Sequence, residues 1–281
     1  MAHPEAERVL GHSTADHEFL DPCVSGDFSA LKAALDGKNP DANALDEMLA
    51  IAAYYQHLEL IDYLFQKFPT ASIGYMSILT ACKTGSKDIV TRFLEKDPSI
   101  LKVPHFVGTP LTAAIGANTP LDFLEFLIGS GADLNWKGAT HPSVLHFATL
   151  YSGPSFIEVV SLLLRKGARL EKSAALSGAI QSANSRNEKV KFLLGQGADP
   201  NTDVDASDAS TLSPPPLHTA VAVGDLELVN LLLEHGADPN LKAWDNCTAF
   251  DFNGKSQQDI EDALKAAAER YNTQSTHSKF Y

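Results

Sequence analysis

At 281 residues the chain is long enough for two compact domains or one extended repeat array. A hydrophobic content of 44% excludes wholesale disorder. With 35 Asp and Glu against 22 Lys and Arg, a formal charge of −13, generic attraction to nucleic-acid backbones or anionic membranes is disfavoured, and basic or neutral partners are left open. The three cysteines, Cys23, Cys82 and Cys247, have no C-x-x-C spacing, which argues against a disulfide framework and a zinc site and for a reducing compartment. No apolar run approaches the roughly 20 residues that span a bilayer. The N-terminus lacks the basic and apolar segments of a signal peptide. A cytoplasmic protein without membrane insertion is therefore expected, with the nucleus as the second possibility.

Residues 1–15 are polar and are expected to fray as a flexible tail. The first two-helix unit runs from about Asp16 to Pro40. Phe19, Leu20 and Cys23 precede Ser25-Gly26-Asp27, and Phe28, Leu31, Ala34 and Leu35 follow at helical spacing. The second unit, Asp46 to Pro69, puts Leu49, Ala52 and Ala53 on one helix and Leu60, Ile61, Leu64 and Phe65 on the next. Gln56-His57 marks its turn, with Tyr54 and Tyr55 just before it. The third, Met76 to Ser99, repeats the plan with Ala81-Cys82, Gly85, Ile89-Val90 and Phe93-Leu94, and ends in Asp97-Pro98-Ser99.

The fourth unit opens on Thr109-Pro110-Leu111. Proline suits a helix's first turn, and a threonine hydroxyl can satisfy an orphan N–H there. Its second helix ends at Gly131-Ala132-Asp133, where glycine supplies the left-handed exit. The fifth carries Ser143-Val144-Leu145-His146-Phe147-Ala148, a turn lengthened by Ser152-Gly153-Pro154, and Gly167-Ala168-Arg169. The sixth, Ala174 to Asn201, ends in Gly197-Ala198-Asp199. The polar connection at 202–214, with Asp203, Asp205 and Asp208, is either a mobile surface finger or a recognition element. The seventh unit reads PPLHTAVAVGDLELVNLLLEHGADPN over 215–240. The eighth enters through Thr248-Ala249-Phe250 and passes Ser256-Gln257-Gln258-Asp259, similar to a capping box. It finishes in a helix lined by Ile260, Leu264 and Ala267, with residues 271–281 as a tail.

The stretch 215–240 resembles the ankyrin repeat, whose pattern is Thr-Pro-Leu-His, Ala-Ala, Gly, a Leu-Leu pair, then Gly-Ala-Asp and Asn. The Gly-Ala pairs starting at 131, 167, 197 and 236 scatter around that family's period of roughly 33 residues. The resemblance covers about Asp16 to Arg270 in seven to eight degenerate copies with capping ends. It implies an all-α solenoid of stacked antiparallel helix pairs with finger loops, forming one domain over 16–270. In such a stack each pair buries its apolar face only against its neighbours. The first helices and fingers of this family form a concave groove that usually binds another protein.

Carried onto this chain, the groove-facing places before the inter-helix turns are Tyr54, Tyr55, Lys83, Thr84, Leu150 and Tyr151, with Ala222 and Val223. The finger tips fall at His105, Phe106, Thr140, His141, Trp244 and Asp245, and Trp136 lies near the base of a finger. Tyrosine and tryptophan are favoured hot-spot residues. The leading expectation is a non-catalytic scaffold for a protein or peptide partner. The alternative is a cofactor-free enzyme or small-molecule binder, with Tyr54, Tyr55, His105, His141, Tyr151 and Trp244 performing isomerase- or cyclase-type acid–base chemistry in the groove. No cofactor or metal is expected. Ser29 with Lys32, and Lys83-Thr84-Gly85, mimic parts of a serine acyl-enzyme signature, but Ser-Asp-Asn is lacking and both fall in repeat register. His146 and His218 sit at the Leu-His step, where the resemblance implies hydrogen bonds to finger backbone. Cys23 and Cys82 fall where the first helices need small side chains, so burial and inertness are expected.

Overall fold

The computed structural model describes residues 4–11, 13–102, 108–136, 143–151, 155–171, 173–201, 214–243, 246–252 and 257–277, with backbone alone at 5, 6 and 272–277. Every regular element among them is helical. The chain divides into two compact units, Met1–Leu134 and Asn135–Tyr281.

The first unit begins with α1 (Pro4–Leu10). Four helix pairs follow: α2 (His17–Ser25) with α3 (Phe28–Ala34), α4 (Ala42–Tyr54) with α5 (Leu58–Lys67), α6 (Tyr75–Lys83) with α7 (Lys87–Lys96), and α8 (Pro110–Gly116) with α9 (Leu121–Gly129). α2, α4, α6 and α8 pack side by side as one layer, and α3, α5 and α7 as the other. The first layer is tight because its contact faces are small: Ala50, Ala52, Ala53, Ala81, Cys82 and Ala114 are fully buried. The second layer supplies the large apolar groups, among them Leu31, Leu60, Ile61, Leu64, Ile89 and Phe93. Neither layer could hide its apolar stripe alone.

Each turn between paired helices needs one residue in the left-handed region. Gly26 fills the place at φ +77°, Gly85 at +71°, and Gln56 and Asn118 stand in at +62° and +56°. The residue after the glycine then caps the second helix: Asp27 accepts from the Ala30 N–H, and Ser86 from the Ile89 N–H. At the fourth entry, Thr109 accepts from the Thr112 N–H while the Thr112 hydroxyl accepts from the Thr109 N–H, closing a reciprocal box. Neighbouring repeats also cap each other. The Asp46 carboxylate, on α4, accepts the N–H groups of Met76 and Ser77 at 3.0 Å each, so α6 draws its N-terminal cap from the preceding repeat.

One expectation is corrected within residues 1–15. Rather than fraying throughout, residues 4–10 form α1, which packs on α4. The residues after it are tied to Glu47, which is 4% exposed. Its carboxylate accepts from the Ser13 hydroxyl at 2.6 Å, the Thr14 N–H and hydroxyl at 2.9 Å, and the Ala15 N–H at 3.2 Å.

In the second unit the pairs are α10 (Val144–Tyr151) with α11 (Phe156–Arg165), α12 (Ala175–Gln181) with α13 (Arg186–Gly195), and α14 (Pro216–Val223) with α15 (Leu226–Glu234). A 3-10 turn at Ala249–Phe252 takes the place of a first helix before α16 (Gln258–His277). α10, α12, α14 and the 3-10 turn form one layer, and α11, α13, α15 and α16 the other. Close approach of α10 and α12 depends on Gly178, where a Cβ would stand 2.6 Å from the His146 carbonyl oxygen. α16 runs on to His277, seven residues into the stretch expected to be a tail. The connection at 202–213, the Ser152-Gly153-Pro154 insertion and Ser256 of the suspected capping box lie outside the described residues.

Candidate functional site

The first-layer helices end in the residues singled out as groove-facing. Tyr54 closes α4 and is 40% exposed. Tyr55 follows it, half-buried, with the two rings edge to face at 5.1 Å and an interplanar angle of 81°. The Tyr55 ring stacks on His57 at 6.1 Å. The His57 ring in turn meets the Val24 carbonyl at 3.3 Å, so the pair stands on a fixed base. Lys83 closes α6 and is exposed, while the Thr84 hydroxyl donates to the Ala81 carbonyl at 2.7 Å and accepts from the Ser86 N–H. Thr84 is thus committed to the turn.

In the second unit, Tyr151 closes α10, is 52% exposed, and has its ring 4.5 Å from that of Phe147. Leu150 beside it is half-buried. Val223 occupies the equivalent last position of α14 and is 43% exposed. Trp136 is only 8% exposed and packs into the core, leaving its ring little surface to offer. His105, Phe106, Thr140, His141, Trp244 and Asp245 lie outside the described residues.

The two Leu-His histidines act on backbone. His146 Nδ1 is 2.9 Å from the Ala174 carbonyl and His218 Nε2 is 3.1 Å from the Cys247 carbonyl, each in the following repeat. Both rings are buried. Burial pushes the Cys23 thiol up to about 12 and raises that of Cys82 as well, so neither ionises near neutrality.

Among the described residues, two buried charges escaped the sequence patterns. Glu47 sits on α4 among alanines and leucines, and its ligands, Ser13 to Ala15, are over 30 residues away. Burial acts to raise its pKa, but the donors from Ser13, Thr14 and Ala15 outweigh it and hold the carboxyl below its ordinary value. Lys189 is 2% exposed on α13. Its ammonium donates to the Thr149 carbonyl at 2.8 Å and the Ser182 hydroxyl at 2.7 Å, and lies 5.4 Å from the centre of the Phe156 ring. Burial lowers its pKa. The register of α13 matches that of α15, where Leu228 fills the same place. A lysine at an apolar register position was the available signal.

An open recess of ≈350 Å³ lies before α6, lined by Pro69, Ser72, Tyr75, Ile78, Lys96 and Ile100 among others. It contains none of the groove candidates. Among the described residues no group of three or more His, Cys, Asp or Glu is placed to hold a metal ion, and no helix is long and apolar enough to cross a membrane.

The family model for the ankyrin repeat matches residues 215–244. Alpha-latrocrustotoxin-Lt1a of Latrodectus tredecimguttatus is 24% identical over 214 residues, 74% of this chain and 13% of that protein. The BTB/POZ domain and ankyrin repeat-containing protein NBCL of Lupinus angustifolius is 37% identical over 98 residues, 34% of this chain and 19% of its own length. The matched stretches therefore take up only a minor part of either relative. Among solved structures, the human ASB11 ankyrin repeat domain superposes with a TM-score of 0.57 at 20% identity, covering 78% of this chain and 96% of that one.

Proposed function

Because this chain is an ankyrin-repeat protein, we propose that it is a non-catalytic interaction scaffold, and that it binds a partner protein or peptide through the ends of its first-layer helices and the fingers beside them. One observation carries this. Tyr54, Tyr151 and Val223, three large apolar residues left exposed, all lie within the last two residues of a first-layer helix. Exposed aromatics in one repeated register are what a recognition surface needs, since such residues contribute large contact area at small entropic cost. Lys83 adds a charge at the same register of α6. Cys23 and Cys82, kept as buried thiols, suit the reducing interior of a cell.

Site-specific photo-crosslinking tests the proposal. A benzophenone side chain at position 83 or 151 is expected to trap a partner from a cell extract, whereas one at Glu188 or Asn230, on second-layer helices, is not. Adducts only at the second-layer positions would overturn it.

A further inference from the structure

We propose that the Tyr54–Tyr55 ledge is a guanidinium receptor, that Arg8 is its internal occupant, and that a partner presenting an arginine on a helix competes with α1 for the ledge. This rests on the scaffold function above and narrows it to one ledge and one partner chemistry. Arg8 Nη2 donates to the Tyr55 hydroxyl at 2.9 Å, and Nη1 reaches the Tyr54 hydroxyl at 3.4 Å. The guanidinium carbon lies 5.5 Å from the centre of the Tyr54 ring. A planar guanidinium can serve two hydroxyls and a ring face together, which a compact ammonium cannot. The stacking of Tyr55 on His57 and the edge-to-face pairing of the tyrosines hold the two hydroxyls in place for it.

The N-terminal segment is held unequally along its length. Residues 13–15 are anchored by the Ser13 and Thr14 hydroxyls and the Thr14 and Ala15 N–H groups, which donate to a buried carboxylate. The Arg8 contacts upstream are exposed, and exposed contacts of this kind are weak. Between the two lies Gly11 at φ +80°, with nothing within 4 Å of where a Cβ would stand. Leaving the ledge requires α1 to give up its packing on α4 and its buried Leu10, while the anchor at residues 13–15 stays. Residues 1–134 carry nine Lys and Arg against eighteen Asp and Glu, a balance that draws a cationic competitor toward this unit.

The probe is a tetramethylrhodamine-labelled, end-capped, helix-stapled peptide copying Pro4–Leu10 with Glu5→Gln and Glu7→Gln, so that its one net charge is that of the arginine. It is titrated against the full chain and its Arg8→Ala, Arg8→Ala/Tyr55→Phe and Arg8→Ala/Tyr54→Ala variants, each first shown to melt as the parent does. Removing the internal competitor is expected to tighten binding about tenfold, a gain of the size that desolvated cation–π and hydroxyl contacts give. Both tyrosine changes, or lysine for arginine in the peptide, are expected to abolish the gain. Equal binding to parent and Arg8→Ala, or no binding to either, overturns internal occupancy. Equal affinity of the arginine and lysine peptides overturns the guanidinium receptor. A positive peptide result with no crosslinks at 83 or 151 would leave the ledge standing and sink the wider scaffold surface; the reverse outcome would sink the ledge alone.

Discussion

Gln56 occupies the turn place that Gly26 and Gly85 hold in the flanking repeats, and its φ of +62° is one that a residue with a Cβ adopts only at a cost. Gln56→Gly is expected to raise stability by about 0.5–1 kcal/mol, the left-handed strain relieved less the backbone entropy added; urea denaturation with an unchanged m-value checks it. Lys189 poses a different residue-scale problem. Burial lowers its pKa, so the folded chain releases the proton at a lower pH than the unfolded chain does. Its contribution to stability therefore rises with pH between the depressed value and the ordinary lysine value. Below that window both states hold the proton, and the desolvated ammonium opposes folding in full. Subtracting the stability–pH profile of Lys189→Met from that of the parent isolates this rise, because the shared effects of Cys23, Cys82 and the Tyr75 phenol, all raised by burial, cancel. A flat difference would show that the ammonium is not desolvated.

Helices here depend on partners in neighbouring repeats as much as on their own ends. α6 begins after Gly74 without a side-chain cap of its own and takes the Asp46 carboxylate instead. Asp46→Ala should cost about 1–2 kcal/mol, as loss of an N-cap does, and Gly74→Ala should be destabilising too, because its Cβ would stand 2.0 Å from the Asp46 carboxyl carbon. Chemical denaturation of both variants measures this. The segment between α1 and α2 is subject to the same logic through Glu47, whose carboxyl is held below its ordinary value. Stabilisation from a depressed carboxyl is complete above the ordinary glutamate value and is lost as pH falls toward the depressed one. Glu47→Gln removes that dependence and one acceptor, and amide hydrogen exchange should show protection lost at Thr14 and Ala15 while α5 keeps its own.

On the scale of the whole molecule, both units repeat one plan: a tight first layer of small residues and a looser second layer of large ones. The formal charge is −13, of which residues 1–134 carry −9. If a cationic partner is steered by this field, its association rate should fall as salt rises from 20 to 200 mM by about tenfold or more, with dissociation little changed. Stopped-flow association of the arginine peptide with Arg8→Ala provides the measurement.

The helix pairs, their register and their turns were legible because they are local. Gly-Asp at a turn, Leu-Leu on a second helix and Gly-Ala-Asp at an exit each act within a few residues of themselves, and the structure places them accordingly. The backbone role of His146 and His218 was legible although it reaches the next repeat, because the repeat register itself fixes that place. Contacts across the stack that follow no repeat register were not. Nothing near Glu47 marks it as the anchor for Ser13 to Ala15, nothing near Tyr55 announces Arg8 some 47 positions upstream, and Trp136 looks as exposed in sequence as it is buried in space. Period and capping chemistry therefore determined the repeat and its ends from the sequence alone. Which polar groups are desolvated, and what covers the exposed tyrosines, was decided only by packing, because burial depends on every element that surrounds a side chain.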